Sequence, residues 1–412
     1  MEAGDGTTTV VVMAGAFLLA CQQLLEKGLH PSLISEGFQE AYDCGMRVIE
    51  ESGIPIDLSD REKLIQNCVT SLSSKVVSQH SEILAPMAVD SVLSLIDTKN
   101  PPENLDLRNI LVSKKLGSTV DDSEIIEGLV FPDNRPSHSA GGPTTIKNAK
   151  IGILQFCLSA PKTDMDNNII VSDYAAMDRV LKEERRYILG LVKKIASTGC
   201  NVVMIQKSVL RDAVNDLSLH FLAMKGIMVI KDIERDQVEN ICKTIGATPV
   251  AHIDYFTKEK LGKADLVEEK SVGGGSKVVF VRGVPNQKDT VSILLRGSNQ
   301  LVLDEAERSL HDALCVVRSL VKRRYLVPGG AAIEIELSQR ILEHSRTLKG
   351  VVQYIMRAYA ESLELIPYTL AENAGMDPMS LVTQLKNHHV KGEKHSGLNL
   401  KKVGSTVYPG GD

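Results

Sequence analysis

The apolar residues of this chain follow two different spacings. Towards both ends they recur every three or four positions, which is typical of amphipathic helices, over about 10–25, 59–97 and 300–390. Between about 105 and 296, short apolar runs alternate with further helical stretches. The pattern therefore predicts an α/β block inserted into a helical chain, whose two outer parts must meet in space.

The central block contains apolar runs that are short enough to be strands. A helical pattern follows the second run as far as Phe221, and another, from Val238 to Ile245, follows the third. Strands that alternate with helices pair in parallel, so we expect a parallel sheet here. The predicted strands are residues 151–156, 201–206 and 227–230.

The apolar run at residues 10–21 resembles the core of a signal peptide. A signal peptide begins with basic residues, whereas Glu2 and Asp5 are the charged residues before this run. Twelve apolar residues are also too few to span a bilayer. We therefore expect a buried helix, with a targeting signal as the alternative.

Composition matters here for the function classes that it excludes. The net charge is −5 and the chain has no block of basic residues, which removes the electrostatic basis for binding nucleic acid or an anionic membrane. Aromatic residues make up 4% and tryptophan is absent, so base-stacking surfaces are not expected either. The seven cysteines are widely spaced, and we expect reduced, mostly buried thiols in a cytosolic protein.

An unusual segment separates the first two predicted strands. Residues 159–168 are polar and contain Pro161, and a charged amphipathic helix is predicted from Met177 to Ile195. A solvated surface excursion explains this segment, and so does a protruding lid or binding arm. The pattern alone leaves both interpretations open.

The first candidate for chemistry is the stretch from Gly4 to Thr9, directly before an apolar helix. Glycines allow tight turns, and the free N–H groups at a helix start attract phosphate oxygens. Threonine hydroxyls add donors, and a carboxylate such as Asp5 beside phosphates is a common ligand of Mg²⁺. The alternative is an ordinary turn with a helix cap.

The second candidate is Asp312, in a helix predicted from about 299 to 322. An apolar stripe forms the buried side of this helix, and Asp312 lies on the opposite side, facing solvent or a site. A general base that orients water for phosphoryl transfer would occupy such a position, and so would a simply solvated carboxylate. The stripe consists of Leu303, Ala306, Leu310, Ala313, Leu314, Val317 and Val321.

Two further candidates carry weaker signals. Gly329 and Gly330 lie in a turn between two predicted helices, where small residues would let a ligand approach the backbone. A simple helix–helix turn explains them equally well. Ser74, beside Lys75 in a segment predicted to be helical, is weaker still.

Together, these motifs resemble those of the group II chaperonins. The resemblance rests on Gly-Asp-Gly-Thr-Thr at 4–8, His-Asp-Ala-Leu at 311–314 and the Gly-Gly turn at 329–330. It covers about residues 2–402 and is strongest towards subunits of the eukaryotic cytosolic chaperonin, the TCP-1 ring complex. Further matching stretches are residues 74–79, 155–167, 229–235, 296–299 and 369–375.

The resemblance implies an α/β multidomain chaperonin fold. Mostly helical equatorial and intermediate domains would carry an inserted α/β apical domain, which binds unfolded proteins and bears a helical lid protrusion at about 160–190. The expected segments are 1–52 and 323–412 for the equatorial domain, 53–120 and 291–322 for the intermediate domain, and 121–290 for the apical domain.

The resemblance also implies roles for individual residues. Asp312 would be the catalytic carboxylate and Asp5 would hold Mg²⁺. Clients would contact a helix at about 209–225. The implied nucleotide-binding residues are Gly4, Gly6, Thr7, Thr8, Thr9, Ser74, Gly329 and Gly330, and the implied client contacts are Asp212, Asn215 and His220.

The implied partners are other chaperonin subunits, in a hetero-oligomeric double ring, and unfolded clients such as actin and tubulin. ATP and Mg²⁺ would be the cofactors, and the location would be the cytoplasm. Neither nucleic acid nor a membrane is expected as a partner.

The chain departs from the family pattern at both ends. Before Gly4 it lacks the family's Leu-Gly-Pro phosphate loop, and after Lys402 it lacks the expected acidic nucleotide contact. Ala331 also replaces a usual third glycine. We therefore expect poor or no ATP binding by this chain, which leaves its ATPase activity open. The alternative to an ATP-driven folding subunit is a fragment that only binds clients or is inert.

Overall fold

The computed structural model describes residues 4–96, 104–132, 141–159, 173–208, 212–272, 277–286, 290–399 and the backbone of 407–408. The chain divides into two compact units. The first unit combines Met1–Asp60 with Ser319–Asp412, and the second is Arg61–Arg318. The division into five domain segments expected from the sequence stays a prediction.

The described residues form twelve α-helices and thirteen strands, along with short 3₁₀ turns. The helices are α1 (Thr7–Glu26), α2 (Pro31–Ser52), α3 (Arg61–Leu72), α4 (Ser81–Leu95), α5 (Tyr174–Ser197), α6 (Asp216–Met224), α7 (Arg235–Ile245), α8 (Gln300–Lys322), α9 (Ala332–Thr347), α10 (Val351–Leu363), α11 (Leu365–Asn373) and α12 (Pro378–Val390). The strands are β1 (Ile54–Pro55), β2 (Ile110–Leu116), β3 (Glu124–Ile126), β4 (Gly128–Phe131), β5 (Thr145–Leu154), β6 (Val202–Gln206), β7 (Met228–Ile233), β8 (Gly262–Ser271), β9 (Lys277–Arg282), β10 (Val291–Gly297), β11 (Tyr325–Leu326), β12 (Gly397–Leu398) and β13 (Val407–Tyr408).

The first unit is mainly helical, as the outer parts of the sequence predict. It contains α1, α2, α9, α10, α11 and α12, together with two short antiparallel strand pairs, β1–β11 and β12–β13. One of its cores forms where α2, α9 and α10 meet, around Ala41, Ile341 and Met356. The His30 side chain caps α2 by accepting a hydrogen bond from the Ser32 N–H, which explains why the chain restarts a helix there.

Helix α1 is largely exposed, so the expectation of a buried helix is wrong for most of its surface. Ala16, Ala20 and Leu24 are buried on one narrow face, whereas Val11 and Leu18 are each 70% exposed. The sequence is apolar all round the helix, so its periodicity could not indicate which side packs. With 20 residues, α1 is long and apolar enough to cross a membrane, a property it shares with core helices and signal sequences.

A six-stranded sheet forms the centre of the second unit, in the order β4-β9-β8-β5-β6-β7. Strands β5, β6 and β7 are parallel, as predicted, because the helices α5 and α6 connect them. The remaining pairings involve strands outside that prediction and are antiparallel, so the sheet is mixed. Only five residues connect β8 to β9, too few for a crossover helix.

Both faces of this sheet are covered by helices. On one face, Val202 and Met204 lie in the same apolar cluster as Ile241 of α7. On the other face, Val203 lies in a cluster with Ile188 of α5 and further residues of α5 and α6. Alternate residues of one strand therefore serve two cores, which explains why the strand sequences are continuously apolar.

A second sheet in this unit has the order β2-β10-β3, with β10 parallel to β2 and antiparallel to β3. Helix α8 follows β10 directly. All seven residues of the predicted apolar stripe on α8 are buried, which confirms that prediction.

The helix expected at about 209–225 is shorter in the structure. Residues 209–211 lie outside the described residues, and α6 begins only at Asp216. The Ala213 carbonyl accepts a hydrogen bond from the Leu158 N–H at 2.8 Å, and Val214 forms a parallel bridge with Leu158. This pairing holds the backbone extended where the sequence pattern predicts a helix.

The predicted lid segment lies partly outside the described residues, since 160–172 are not among them. The helix predicted from Met177 to Ile195 is present as α5. Its second half packs on the sheet through buried residues from Ile188 onward, whereas Tyr174 at its start is 95% exposed. The lid interpretation stays a prediction.

All seven cysteines are free, and five of them are buried. This confirms the expectation of reduced, mostly buried thiols.

Candidate functional site

The residues before α1 form an exposed turn at a helix start. Gly4 and Gly6 have φ values of 71° and 73°, which favour glycine. Gly6 is the N-cap residue of α1, and no side chain caps this helix start. The Asp5 carboxylate accepts a hydrogen bond from the Gly6 N–H at 2.9 Å, and Thr7 and Thr8 are exposed.

This arrangement differs from an ordinary side-chain cap. The first N–H groups of a helix have no acceptor within the helix, and the N-cap residue here is a glycine, which has no side chain to accept from them. An anion at this position would meet N–H groups, three threonines and the positive end of the dipole of a 20-residue helix. The start of α1 therefore has the kinds of donor that a phosphate group binds.

The Gly329–Gly330 turn contacts the strand β12. Gly330 has φ 67°, and its carbonyl accepts a hydrogen bond from the Leu398 N–H at 2.8 Å. A Cβ atom on Gly330 would lie 3.0 Å from the backbone N and O of Leu398, whereas one on Gly329 would meet no atom within 4 Å. Gly330 is therefore required by close backbone packing, and Gly329 borders open space where a ligand could approach.

Asp312 is paired with a lysine. The Nζ of Lys75 lies 2.6 Å from Oδ2 of Asp312, and the two side chains are 25% and 13% exposed, respectively. The sequence predicted a carboxylate that faces solvent or a site. In the structure this carboxylate is mostly buried and forms an ion pair.

Packing between α3 and α8 positions this pair. Cys68 of α3 is fully buried, and its thiol lies 4.0 Å from the Ala313 carbonyl, next to Asp312 on α8. Burial raises the pKa of the Cys68 thiol to about 12, as expected for a sulfur that acts as a core atom. The contact sets the distance between the end of α3 and the Asp312 carboxylate.

Ser74 lies in a turn rather than in the helical segment expected. Helix α3 ends at Leu72, whose carbonyl accepts a hydrogen bond from the Lys75 N–H at 3.0 Å. The Ser74 hydroxyl donates to the Ser71 carbonyl at 3.3 Å. Lys75, the residue after Ser74, pairs with Asp312, so this turn lies beside the Asp312 carboxylate. No local sequence pattern predicts this role of Lys75.

The three client-contact candidates lie on α6 or in the residues just before it. Asp212 and Asn215 precede the helix, and Asn215 is its N-cap residue without a side-chain capping bond. His220 lies on α6 itself. All three are exposed, so a client could reach them, but two of them precede α6, whereas the sequence analysis places all three on a helix.

The candidate nucleotide-site residues belong to both units. The Gly4–Thr9 stretch and the Gly329–Gly330 turn lie in the first unit, and Ser74 and Asp312 lie in the second. Among the described residues, no group of three or more His, Cys, Asp or Glu side chains could hold a metal ion. Asp5 is therefore a single carboxylate, which suits Mg²⁺ because this ion usually combines one or two carboxylates with phosphate oxygens and water.

Comparison with known proteins identifies the class of protein that this fold represents. The chain is similar to a solved structure described as the open state monomer of a group II chaperonin from Methanococcoides burtonii. The TM-score is 0.72 and the identity 32%, over 98% of this chain and 94% of that one. The family model of the TCP-1/cpn60 chaperonin family matches residues 1–406. The chain belongs to this family.

The similar proteins also indicate a subunit type. The chain is 59% identical over 402 residues to T-complex protein 1 subunit delta of Dictyostelium discoideum, covering 98% of this chain and 75% of that protein. It is 56% identical over 404 residues to the Homo sapiens protein of the same name, of which it covers 74%.

These matches confirm the resemblance to the group II chaperonins, with delta subunits among the similar proteins, and they confirm the predicted fold class. The similarity extends over 98% of the chain. It therefore favours a chaperonin subunit over a client-binding or inert fragment.

Proposed function

We propose that the chain is a subunit of a hetero-oligomeric cytosolic chaperonin ring that folds unfolded proteins with energy from ATP. Membership in the chaperonin family and the similarity to proteins named as subunits of a T-complex support this proposal. The ring would be a double ring, and actin and tubulin would be among its clients.

The uncapped start of α1 is the observation that carries the nucleotide part of the proposal. Gly6, Thr7 and Thr8 are exposed at the start of a long apolar helix, and Gly4 and Gly6 give the backbone its left-handed turns. We assign phosphate binding to Gly4, Gly6, Thr7, Thr8 and Thr9, with Ser74, Gly329 and Gly330 lining the nucleotide. Asp5 would hold Mg²⁺, which would neutralise charge on the phosphates.

Asp312 is the proposed general base. A carboxylate in this role orients a water molecule and accepts its proton as the phosphoryl group is transferred. The ion pair with Lys75 holds the carboxylate at the Ser74–Lys75 turn. Separation of the pair frees the carboxylate oxygen for water, so hydrolysis would be coupled to movement of α3 or α8.

Client binding is assigned to the surface around α6. Asp212, Asn215 and His220 are exposed, and Met224 at the end of α6 is 71% exposed. Polar groups beside an exposed apolar side chain suit unfolded segments, which present both kinds of surface.

The first experiment is density-gradient sedimentation of the tagged chain after expression in a eukaryotic lysate. Co-migration with a ring-sized particle would support assembly, and migration as a small species or an aggregate would contradict it. Mg-ATP binding and hydrolysis would then be compared between the ring containing the wild-type chain and the Asp312→Asn variant.

Asp304→Asn is the matched control, because Asp304 lies on the same helix and also pairs with a lysine, Lys114. We expect Asp312→Asn to lose hydrolysis by 10²-fold or more while Asp304→Asn retains it. Absence of Mg-ATP affinity in the wild-type chain would disprove the nucleotide part of the proposal.

A further inference from the structure

A buried histidine connects two parts of the first unit beside the Gly329–Gly330 turn. His389 lies on α12, and its side chain has no exposed surface. Its Nδ1 is 2.9 Å from Oε2 of Glu336 on α9, and its Nε2 is 2.9 Å from the Ser396 carbonyl oxygen. His389, Glu336 and Ser396 are not among the nucleotide-binding residues assigned above.

The hydrogen bonds determine how many protons this ring carries. A carbonyl oxygen can only accept, so the Nε2 facing Ser396 must carry a proton. Oε1 of Glu336 accepts a hydrogen bond from Arg340 Nε at 3.1 Å, which leaves Oε2 as the acceptor for His389.

The charge on Glu336 decides whether the second ring nitrogen of His389, Nδ1, donates or accepts. Burial raises the pKa of this carboxyl, but hydrogen bonds from His389 and Arg340 outweigh burial and hold the pKa below its ordinary value. An ionised carboxylate accepts at Oε2, so Nδ1 must also carry a proton. Both ring nitrogens of His389 therefore face acceptors, and the ring forms a buried ion pair with Glu336.

This ion pair is connected to the turn by two short routes. Glu336 lies in α9, which begins two residues after Gly330. Ser396 directly precedes β12, where the Leu398 N–H donates to the Gly330 carbonyl at 2.8 Å. A Cβ on Gly397 would lie 2.6 Å from the Gly329 carbonyl oxygen, so β12 and the turn are in direct backbone contact.

The neighbouring charges satisfy one another. Besides its contact with Glu336, Arg340 lies 4.0 Å from the carboxylate of Glu343. On α12, Lys386 pairs with Glu364 at 2.5 Å and His388 pairs with Glu393 at 2.7 Å. The Ser396 hydroxyl donates to Glu393 at 3.2 Å. Glu336 is thus the carboxylate that faces His389.

We propose that the Glu336–His389 ion pair is a positioning pair, which holds β12 and the start of α9 together and so fixes the Gly329–Gly330 turn for a nucleotide. Glu336 and His389 would not touch the nucleotide. This inference rests on the proposed function for its nucleotide role, whereas the ion pair and its effect on the turn are independent of that function.

The first test uses ¹⁵N-labelled histidine and Glu336→Gln. In the wild-type chain near neutral pH, both ring nitrogens of His389 should give the chemical shifts of an imidazolium, with the signal assigned by its loss in His389→Gln. In Glu336→Gln, the new amide can donate to Nδ1 while Nε2–H still donates to Ser396. The ring should then be neutral with its proton on Nε2, a change that a merely space-filling role would not produce. A neutral ring in the wild-type chain would overturn the proposal.

The second test is amide hydrogen exchange at Leu398. His389→Gln should reduce protection of this amide at least tenfold, because one glutamine cannot reach both Glu336 and Ser396. Glu336→Gln should retain most of the protection, and so should His395→Gln, a control at an exposed histidine next to Ser396. Unchanged protection in His389→Gln would disprove the proposal. If His389→Gln does not fold, the ¹⁵N chemical shifts of the His389 ring in the wild type and in Glu336→Gln decide whether the proposal holds.

Mg-ATP affinity separates this inference from the proposed function. If the wild-type chain binds Mg-ATP, His389→Gln should weaken binding at least tenfold relative to His395→Gln, and equal affinities would overturn the positioning role. If the wild-type chain has no affinity, the proposed nucleotide site fails. The ring signals and the exchange of Leu398 then decide whether the ion pair fixes the turn.

Discussion

The ammonium group of Lys75 lies 2.6 Å from the carboxylate of Asp312, although the two residues are 237 positions apart in the chain. The turn after α3 and the middle of α8 bring them together. With only 13% of the Asp312 side chain exposed, solvent screens this pair weakly. The carboxylate that we assign to catalysis is therefore held by a cation, and a water molecule must compete with that cation for it.

Removal of the Lys75 charge should destabilise the second unit. In Lys75→Met, the mostly buried Asp312 carboxylate loses its cation, at a cost of about 2 kcal/mol in the free energy of unfolding. The control is Lys243→Met, because Lys243 and its partner Glu239 are well exposed on α7 and such pairs contribute less than about 0.5 kcal/mol. Urea unfolding of both variants would measure the difference, and equal losses would contradict the prediction.

The contrast between α8 and α1 shows how far the sequence predicts this fold. The stripe on α8 has a clear helical period, and all its residues are buried, so Asp312 was placed on the correct side. Helix α1 was predicted at nearly its true length, but its apolar residues surround the axis. Val11 and Leu18 could not be distinguished from Leu24 without knowledge of the neighbouring helices.

Features that depend on distant parts of the chain were the ones missed. Lys75 and the Glu336–His389 pair have no local sequence signal, because each is formed by residues from different elements. The start of α6 was misplaced because Leu158 pairs with residues 213–214, and this pairing overrides the local helical pattern. The glycine turn before α1 was predictable, since a glycine-rich stretch before a helix is a local feature.

Alanine substitutions at the two positions of the Gly329–Gly330 turn should differ strongly in their effect on stability. Gly330→Ala puts a side chain at φ 67° and a Cβ 3.0 Å from the Leu398 backbone, so we expect a loss of about 2–3 kcal/mol. Gly329→Ala meets no atom within 4 Å and should change the unfolding free energy by less than about 0.5 kcal/mol. Urea denaturation tests this, and similar stabilities would show that the turn does not pack on β12 as described.

The same pair of variants tests the nucleotide assignment. Gly329→Ala would place a methyl group in the space where the nucleotide is proposed to bind. Its Mg-ATP affinity should therefore fall although its stability does not. Unchanged affinity in a stable Gly329→Ala chain would remove Gly329 from the site.

The cysteines should differ strongly in reactivity. Burial raises the pKa values of Cys68 and Cys200 to about 12, so about one thiol in 10⁴ is ionised at pH 8. Cys157 is only half-buried. Alkylation with iodoacetamide followed by peptide mass spectrometry should modify Cys157 well before Cys68 or Cys200, and the order should vanish in urea. Early modification of Cys68 in the folded chain would contradict its packing against Ala313.

Acid should weaken the first unit through Glu336. Hydrogen bonds from His389 and Arg340 outweigh burial and lower the folded pKa of this carboxyl below the ordinary value of 4.5. A lowered folded pKa means that the stabilisation is fully present above about pH 4.5 and is lost as the pH falls through the folded value. The unfolding free energy of the wild type should therefore fall more steeply below pH 4.5 than that of Glu336→Gln. Parallel curves from urea denaturation at pH 7 and pH 4 would show that Glu336 is not ionised in the folded chain.

The exposed side of α1 should govern the solubility of the purified chain. Leu18 is 70% exposed and Leu24 is 2% exposed on the same helix. Leu18→Gln should change the unfolding free energy by less than about 0.5 kcal/mol, whereas Leu24→Ala leaves a cavity and should cost about 2–4 kcal/mol. Because contiguous apolar surface promotes association, Leu18→Gln should also lower aggregation and binding of a hydrophobic dye. Light scattering and dye fluorescence measure this effect, and a large loss of stability in Leu18→Gln would mean that this side of α1 is packed.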